Sequence, residues 1–269
     1  MDKAVILARG LGRRMRKASG EAELTEEEAR AADTGLKALI PIGRPFLDYT
    51  LSALADAGYR GVCLVIGPEH RQIREAYGAG RVTRLAVTFA VQAEPLGTAD
   101  ATAAAREFAG ADDVVVINSD NYYPASALRA LREELTGSGL AAFRREGLLA
   151  GGTIPAERIA GYAIVRADAD GHLAEIIEKP TDEQLAAIGR PVYVSMNCWR
   201  FRPVIFEACG SIGLSSRGEK ELPDAVEYAR RELGETFDVL RFDEPVLDLS
   251  RREDIAGVKA RLADVEVNL

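Results

Sequence analysis

Cysteine and histidine are scarce in this chain, which limits the kinds of site it can build. The three cysteines, Cys63, Cys198 and Cys209, are an odd number, lie far apart and form no C-x-x-C pair. This spacing disfavours a disulfide framework and a zinc site, and it predicts buried, reduced thiols. The two histidines, His70 and His172, leave little material for histidine-based metal binding.

Long apolar runs and an excess of positive charge are also absent. No apolar run approaches the roughly 20 residues that cross a bilayer, and a strand-like segment follows Asp2 without the apolar core of a signal peptide. The formal net charge of −8 disfavours nucleic acid as a partner, because phosphate backbones bind basic surfaces. We therefore expect a cytoplasmic globular protein with no membrane and no nucleic-acid partner.

Short apolar segments and helical patterns alternate in the first half of the chain. Strands are predicted at residues 4–8, 61–66, 85–90 and 113–118, and helices at 45–57, 71–77, 98–108 and 125–135. This alternation implies βαβ units and a mostly parallel, doubly wound sheet.

After about residue 140 the predicted strands lie closer together, at 139–143, 162–166, 172–178 and 192–201. A helix at 221–233 and a strand at 237–242 follow. A final helix from 251 to about 263 comes after a capping-box-like sequence from Ser250 to Glu253. The fold class we expect is α/β: a single domain over residues 1–269 with a Rossmann-like, doubly wound, mostly parallel sheet and a smaller mixed extension in the C-terminal half.

Positive charge is concentrated directly after the first predicted strand, although the protein as a whole is acidic. Five basic residues fall within nine positions: Arg9, Arg13, Arg14, Arg16 and Lys17. Such charges repel one another unless an anion lies between them or all of them face water. Glycines after a first strand let backbone N–H groups approach phosphate, as Gly10 and Gly12 would here. The dinucleotide-binding fingerprint fails at Met15, and the G-K-S/T of a P-loop is absent.

The segment ILARGLGRRMR (6–16), followed by LKALIPI (36–42), resembles the signature of the sugar-phosphate nucleotidyltransferases, roughly L-A-A-G-x-G-T-R-M and then K-x-x-x-P. Further landmarks of that family follow in order: VQAEPLGTADA (91–101), VVVINSDNYYP (114–124), GYAIV (161–165), IIEKP (176–180), SMNCWRF (195–201) and VLDLSRREDI (246–255). Each landmark alone is weak, but their number and order from one end of the chain to the other make the resemblance specific. It implies the nucleotide-diphospho-sugar transferase fold.

In this family an oxygen of a sugar 1-phosphate attacks the α-phosphorus of a nucleoside triphosphate in line, and pyrophosphate leaves, usually with Mg²⁺. The resemblance therefore implies an NTP and a sugar 1-phosphate as partners and Mg²⁺ as cofactor. Arg14 and Lys37 would hold the triphosphate and stabilise the departing pyrophosphate, and Gln92 would read the nucleobase edge. The nucleotide-binding residues implied in this way, all in a nucleotide-binding half (1–135), are Leu7, Ala8, Gly10, Gly12, Arg13, Gln92, Gly97 and Thr98.

Asp120 ends an apolar segment, and the carboxyl ends of parallel strands are where α/β sheets bind ligands. Mg²⁺ is typically held by one or two carboxylates together with substrate phosphates. Asp120 is therefore the first metal-ligand candidate. The resemblance makes Asp248 the second, with Asp243 as a nearby rival.

The resemblance assigns the sugar phosphate to the second half of the chain (136–269). Glu178 would accept hydrogen bonds from sugar hydroxyls. Lys179 would meet the sugar phosphate, and it joins Arg14, Lys37 and Asp120 as a candidate catalytic residue. Gly161 and Asn197 match further sugar-contacting positions.

The chain departs from the family pattern at Arg9, which replaces the second alanine, and at Arg13, which replaces a small threonine or serine. An acidic segment at 21–33 could be a solvated helix, a lid or a dimer contact, so a homo-oligomer stays open. These features leave the nucleobase and the sugar undecided.

Three alternative functions are nucleotidyl transfer to a non-sugar phosphate, a glycosyltransferase, and a non-catalytic nucleotide-sugar sensor. The glycosyltransferase is disfavoured because Ser119-Asp120-Asn121 stands where a D-x-D motif is needed.

Overall fold

The computed structural model describes residues 1–17, 24–78, 80–151 and 153–269. The strands are β1 (Lys3–Leu7), β2 (Gly61–Ile66), β3 (Ala86–Val91), β4 (Val114–Asn118), β5 (Asn121–Tyr122), β6 (Ser138–Arg144), β7 (Ile164–Ala167), β8 (Leu173–Ile177), β9 (Tyr193–Phe201), β10 (Phe237–Phe242) and β11 (Leu247–Asp248). The helices are α1 (Arg13–Arg16), α2 (Glu26–Thr34), α3 (Phe46–Asp56), α4 (Arg71–Tyr77), α5 (Thr98–Ala104), α6 (Arg106–Ala109), α7 (Ala125–Glu133), α8 (Arg145–Gly151), α9 (Ala156–Ile159), α10 (Asp182–Ile188), α11 (Val204–Ser211), α12 (Leu222–Glu232) and α13 (Asp254–Leu262), with a 3₁₀ turn at Lys37–Leu39.

One sheet joins strands from both halves of the described chain. Its strand order is β10-β6-β9-β4-β1-β2-β3, with β7 pairing with β8 and β9. Along this order the neighbours are parallel except at β9, which runs antiparallel to β4 and β6. The predicted α/β fold with a mostly parallel but mixed sheet is confirmed.

Both faces of the central strands are buried, which explains their continuous apolar character. In β1, Ala4 and Ile6 face a core that includes Leu47 and Leu51 of α3. Val5 between them faces the opposite core, which includes Ala99 of α5 and residues of α11 and α12. The sheet is therefore covered by helices on both sides.

The chain reverses its direction of sheet growth at β1. β2 and β3 extend the sheet on one side of β1, whereas β4 pairs on the other side. In open α/β sheets this arrangement leaves a crevice at the carboxyl ends of the two strands, where ligands bind. The pair β5–β11 brings Asp248 opposite Asn121 at this edge, and the Leu249 N–H donates to the Asp120 carbonyl over 2.8 Å.

Two local predictions are wrong. The helix predicted at 98–108 is divided into α5 and α6 at Ala105, whose φ of −89° and ψ of 6° leave helical geometry. The final helix begins at Asp254, and the predicted Ser250–Glu253 capping box does not form. The Asp254 carboxylate instead accepts the backbone N–H groups of Ser250 (2.9 Å) and Arg251 (2.7 Å). The Ser250 hydroxyl donates to Asp248 Oδ1 and is therefore not used to cap the helix.

None of the helices in the described residues combines the length and apolar character of a membrane-spanning segment.

Candidate functional site

A cavity of about 380 Å³ opens at the carboxyl ends of β1 and β4. Its walls come from the loop after β1, the 3₁₀ turn, the segment after β3 and the end of β4. The structure brings together on these walls every predicted nucleotide-binding residue: Leu7, Ala8, Gly10, Gly12, Arg13, Gln92, Gly97 and Thr98. Arg14, Lys37 and Asp120 line the same cavity.

Gly10 and Gly12, in the turn after β1, differ in why a side chain is absent at each position. A Cβ at Gly10 would meet no atom within 4 Å, so Gly10 leaves open space beside the cavity. Gly12 has a φ of 60°, and a Cβ there would collide with the backbone of Gly35. Gly12 is therefore required by packing as well as by its left-handed conformation.

The basic cluster divides into groups with different surroundings. Arg13 and Arg14 are exposed at the cavity, and Arg14 has no ion-pair or hydrogen-bond partner among the described residues. Arg16 donates from Nε and Nη2 to the Thr34 carbonyl at 3.1 and 2.7 Å, so it holds the chain that leads to Lys37. Arg9 is buried, although it also lines the cavity.

Lys37 and Asp120 form an ion pair between the two sides of the cavity. Lys37 Nζ lies 2.7 Å from Asp120 Oδ2, and their side chains are 16% and 24% exposed. The 83 residues that separate them in sequence are bridged because β4 pairs with β1. A carboxylate and an ammonium thus meet where the loop after β1 and the end of β4 converge.

A second cavity of about 240 Å³ adjoins the first. The two share Arg14, Asn118 and Asp120. The predicted sugar-phosphate residues Gly161, Glu178 and Asn197 line the second cavity together with Asp248.

Lys179 is the predicted catalytic residue that the structure does not bring to either wall. It is exposed, and its φ of 47° is unusual for a residue other than glycine. The neighbouring Glu178 carboxyl has a raised pKa, first because it loses water in the cleft and then because of the charge of Glu221.

Asn197 reaches the second cavity through an irregularity in β9. The register between β6 and β9 shifts there, and Asn197 has a φ of 54°, which asparagine tolerates better than most residues. The buried Tyr123 hydroxyl donates to the Met196 carbonyl over 2.7 Å and holds the bulge in place. A bulge of this kind re-aims a side chain, here toward the cavity.

Asp248 is buried, and its carboxylate is surrounded by donors. Oδ1 accepts the Ser250 hydroxyl at 2.6 Å, whereas Oδ2 accepts the Tyr162 hydroxyl at 2.6 Å and Arg158 Nη1 at 3.4 Å. Burial, followed by the charge of Asp120, raises the pKa of Asp248. The rival Asp243 is 75% exposed, pairs with Arg144 at 3.7 Å and is not among the lining residues of the described chain.

Sequence reasoning missed the residues that hold these side chains in place. Arg158 binds Asp254 through two nitrogens, at 2.9 and 2.5 Å, while also approaching Asp248. Arg252 Nε donates to the Met15 carbonyl at 2.8 Å and thereby anchors α1, which carries Arg14. Tyr162 and Arg252 lie within the landmarks GYAIV and VLDLSRREDI, so the landmarks located them without revealing their contacts.

The side-chain amide of Gln92 has a defined orientation. Its Nε2 donates to the Gly97 carbonyl at 3.0 Å and to Asp100 Oδ2 at 2.8 Å. Both partners only accept hydrogen bonds, so the NH₂ group must face them. The Gln92 carbonyl oxygen is therefore the atom left for another partner.

Comparisons with known proteins agree with this arrangement. The family model described as nucleotidyl transferase matches residues 3–244. A glucose-1-phosphate thymidylyltransferase of Streptomyces griseus is 31% identical over 229 residues, which cover 84% of this chain and 56% of that protein. The low-salt glycan biosynthesis nucleotidyltransferase Agl11 of Haloferax volcanii is 29% identical over 229 residues, again 84% of this chain and 56% of that protein. The chain thus spans little more than half the length of these relatives.

A solved structure of UDP-glucose pyrophosphorylase complexed with UDP-glucose matches with a TM-score of 0.73 and 17% identity, and the match covers 99% of this chain and 100% of that one. At this identity the likeness shows the fold alone.

Proposed function

The chain belongs to the nucleotidyl transferase family, and from this premise we propose that it joins a nucleoside triphosphate and a sugar 1-phosphate to give a nucleotide-sugar and pyrophosphate. The observation that carries the proposal is the pair of adjoining cavities that share Arg14 and Asp120. One cavity contains the glycine turn and Gln92, and the other contains Glu178 and Asn197. Residues 1–269 act in this proposal as one catalytic domain, because both cavities use residues from both halves of the chain.

Each group on the walls has a role in this reaction that its chemistry supports. Arg14 and Lys37 bind the triphosphate and neutralise the charge that builds up on pyrophosphate as the bond to the α-phosphorus breaks. Gly10 leaves room for the nucleotide. Glu178 accepts hydrogen bonds from sugar hydroxyls. Lys179, at the edge of the cleft, meets the sugar phosphate when that substrate is bound.

The donor set where the cavities meet fits a hard divalent cation, and we propose Mg²⁺ held by Asp120 and Asp248. The two carboxylates are close enough for the charge of Asp120 to raise the pKa of Asp248. Asp120 already pairs with one cation, the Lys37 ammonium at 2.7 Å. When bound, the ion supplies additional neutralisation of the phosphate oxygens.

Pyrophosphate release measured with Mg²⁺ tests the proposal directly. ATP, GTP, CTP, UTP and dTTP are each combined with a panel of sugar 1-phosphates and with choline phosphate and a polyol phosphate. We expect release only when one NTP and one sugar 1-phosphate are present together. Release with a non-sugar acceptor alone would reject the acceptor class, and silence with every pair would reject the reaction.

A matched pair of variants connects the activity to the cavities. Arg14→Met removes the cation shared by both cavities, whereas Lys17→Met removes an exposed charge of the same cluster that lies outside the walls. The first should reduce kcat/KM by about 100-fold, as expected for a charged group that stabilises the transition state, and the second by less than twofold. Equal effects of the two variants would contradict the role of Arg14.

A further inference from the structure

Arg9 carries hydrogen-bond donors that the described protein leaves unused. The residue is 8% exposed, and its Nε and Nη1 atoms are buried without a hydrogen-bond partner among the described residues. Glu69 offers a carboxylate oxygen 3.6 Å from Nε, too long for a hydrogen bond. A buried guanidinium with unused donors is costly in free energy, because water no longer satisfies them. Arg9 also lines the first cavity, so a bound ligand can supply an acceptor to Nη2, the guanidinium nitrogen that is not among the enclosed atoms.

The position of Arg9 in the sheet separates it from the phosphate-binding cations. Asp120 follows β4, on one side of β1, and Lys37 pairs with it there. Glu69, which pairs with Arg9, follows β2 on the other side of β1, between the glycine turn and Gln92 after β3. Arg9 therefore lies on the Gln92 side of the cavity. The carboxylate of Glu69 repels phosphate, so the acceptor that suits Arg9 is uncharged.

Gln92 and Arg9 present complementary polarities on this side. The NH₂ group of Gln92 is occupied by Gly97 and Asp100, so Gln92 has only its carbonyl oxygen to offer and accepts an N–H. Arg9 has only donors and requires an acceptor such as a carbonyl oxygen. An N–H beside a C=O is the lactam edge of uracil, thymine and guanine. Cytosine and adenine present the reverse order, a ring nitrogen acceptor beside an NH₂ donor.

We propose that Arg9 is a specificity-determining residue that donates to a nucleobase carbonyl, so that the site selects lactam nucleotides over CTP and ATP. This inference rests on the proposed function in one respect only, that the first cavity binds an NTP. It gives a reason for the arginine that interrupts the L-A-A-G pattern. The base is read by two groups of opposite polarity, because neither Arg9 nor Gln92 alone can distinguish both atoms of the lactam edge.

Equilibrium binding of UTP, dTTP, GTP, CTP and ATP, measured without a sugar phosphate, tests the proposal. Wild-type protein should bind a lactam NTP at least about tenfold more tightly than CTP or ATP, the change expected for one charge-assisted hydrogen bond. Arg9→Met keeps the side-chain volume and removes the donors. It should weaken lactam NTP binding by about tenfold to a hundredfold and leave CTP and ATP binding within about threefold. UTP and dTTP against GTP then distinguish a pyrimidine site from a purine site.

Two further variants keep the test decisive. Arg9→Ala introduces the residue of the family pattern and should fold even where methionine does not, with the same loss of base preference. Arg71→Met removes an exposed arginine at the start of α4 that is not among the lining residues, and it should change no affinity. The melting temperature of each variant confirms folding.

Each other outcome overturns the inference. Unchanged affinities in Arg9→Met would show that Arg9 does not contact the nucleotide, and an equal loss for all five NTPs would assign it to the ribose or the phosphates. A wild-type preference for CTP or ATP, or no NTP binding at all, would refute base reading by this pair. Absence of pyrophosphate release with every acceptor would contradict only the proposed reaction. The role of Arg9 is tested separately, by the NTP affinities of the variants.

Discussion

Replacing Arg252 by methionine removes the side chain that anchors α1, the four-residue helix that carries Arg13 and Arg14. Arg252 is 8% exposed. Its Nε donates to the Met15 carbonyl at 2.8 Å, and its Nη2 reaches the Arg16 carbonyl at 3.4 Å and Asp33 at 2.5 Å. Methionine retains much of the volume, so the loss is chiefly that of the charged donors.

The free energy lost in Arg252→Met can be estimated from how deeply each of its contacts is buried. The buried charge-assisted bond to Met15 contributes about 1.5–3 kcal/mol. The pair with Asp33 contributes only about 0–1 kcal/mol, because the Asp33 side chain is 69% exposed. A loss of about 2 kcal/mol corresponds to about thirtyfold in an equilibrium constant. If α1 must be in place for Arg14 to bind triphosphate, the Kd of the NTP should rise by about tenfold to thirtyfold.

Direct NTP binding and steady-state kinetics, compared with two control variants, check this magnitude. Asp33→Asn keeps the bonds from Arg252 to α1 and should change the Kd by less than twofold. Lys259→Met breaks the 2.7 Å pair with Glu28 and lowers the stability of the α2–α13 contact without touching α1. An unchanged Kd in Arg252→Met would refute the anchoring role. An equal rise in Lys259→Met, at equal loss of melting temperature, would attribute the effect to general loosening.

Asp120→Asn should reduce Mg²⁺-dependent turnover below one tenth of wild type with the melting temperature preserved, and activity above that level would contradict the metal assignment. Gly12→Ala should lower the free energy of unfolding by more than about 1–2 kcal/mol, because its φ is left-handed and its Cβ meets the Gly35 backbone. Gly10→Ala should leave urea unfolding unchanged and weaken NTP binding, and the reverse result for the two glycines would refute the packing argument. Burial lowers the pKa of His70, whose Nδ1 accepts the Gly67 N–H at 3.3 Å, so the unfolded chain binds the proton more tightly. The free energy of unfolding should therefore fall as the pH drops below about 6.5. His70→Asn, whose Oδ1 can accept the same N–H, should flatten urea-measured stability between pH 7.5 and 5.5, and an unaltered slope would exclude His70 as the cause.

Several elements of the fold could be predicted from the sequence because their burial is continuous or their ends are marked. β2, β10 and α4 have the predicted bounds, Gly61–Ile66, Phe237–Phe242 and Arg71–Tyr77. β2 is a fully apolar run that begins at a glycine, as a strand in a two-sided sheet requires. The division between α5 and α6 could not be predicted, since Ala105 carries no glycine or proline signal.

The candidate site could be located by its landmarks, but its energetics could not be predicted. The sequence motifs place Asp120 and Asp248 near each other because each belongs to a segment at the same sheet edge. Two of the partners of Asp248 lie 86 and 90 residues away, at Tyr162 and Arg158. No local pattern encodes contacts over such separations, because they arise only when β5 and β11 pair. The orientation of Gln92 likewise depends on Asp100, which no landmark identified as its partner.

The acidic segment, for which a lid was one interpretation, has contacts that a lid would have to break. Residues 21–23 of the segment lie outside the described residues, but α2 is described. Glu28 of α2 is 5% exposed; its carboxylate accepts the Thr25 N–H at 2.8 Å and pairs with Lys259 of α13 at 2.7 Å. Moving α2 away from α13 would therefore separate Glu28 from Lys259 and leave a largely buried carboxylate without its ion-pair partner, a loss that opening would have to offset.

Asp33, at the other end of α2, joins the basic cluster through Arg252. The acidic segment and the basic cluster are thus both tied to one stretch of chain, Arg252 and the helix α13 that begins two residues later. Arg252 holds α1 through the Met15 carbonyl, and Arg13 and Arg14 of the same helix line the cavity. The acidic residues Asp33 and Glu28 form ion pairs that hold α2 beside the basic loop. This arrangement explains why a negatively charged segment follows a positively charged one so closely in this part of the sequence.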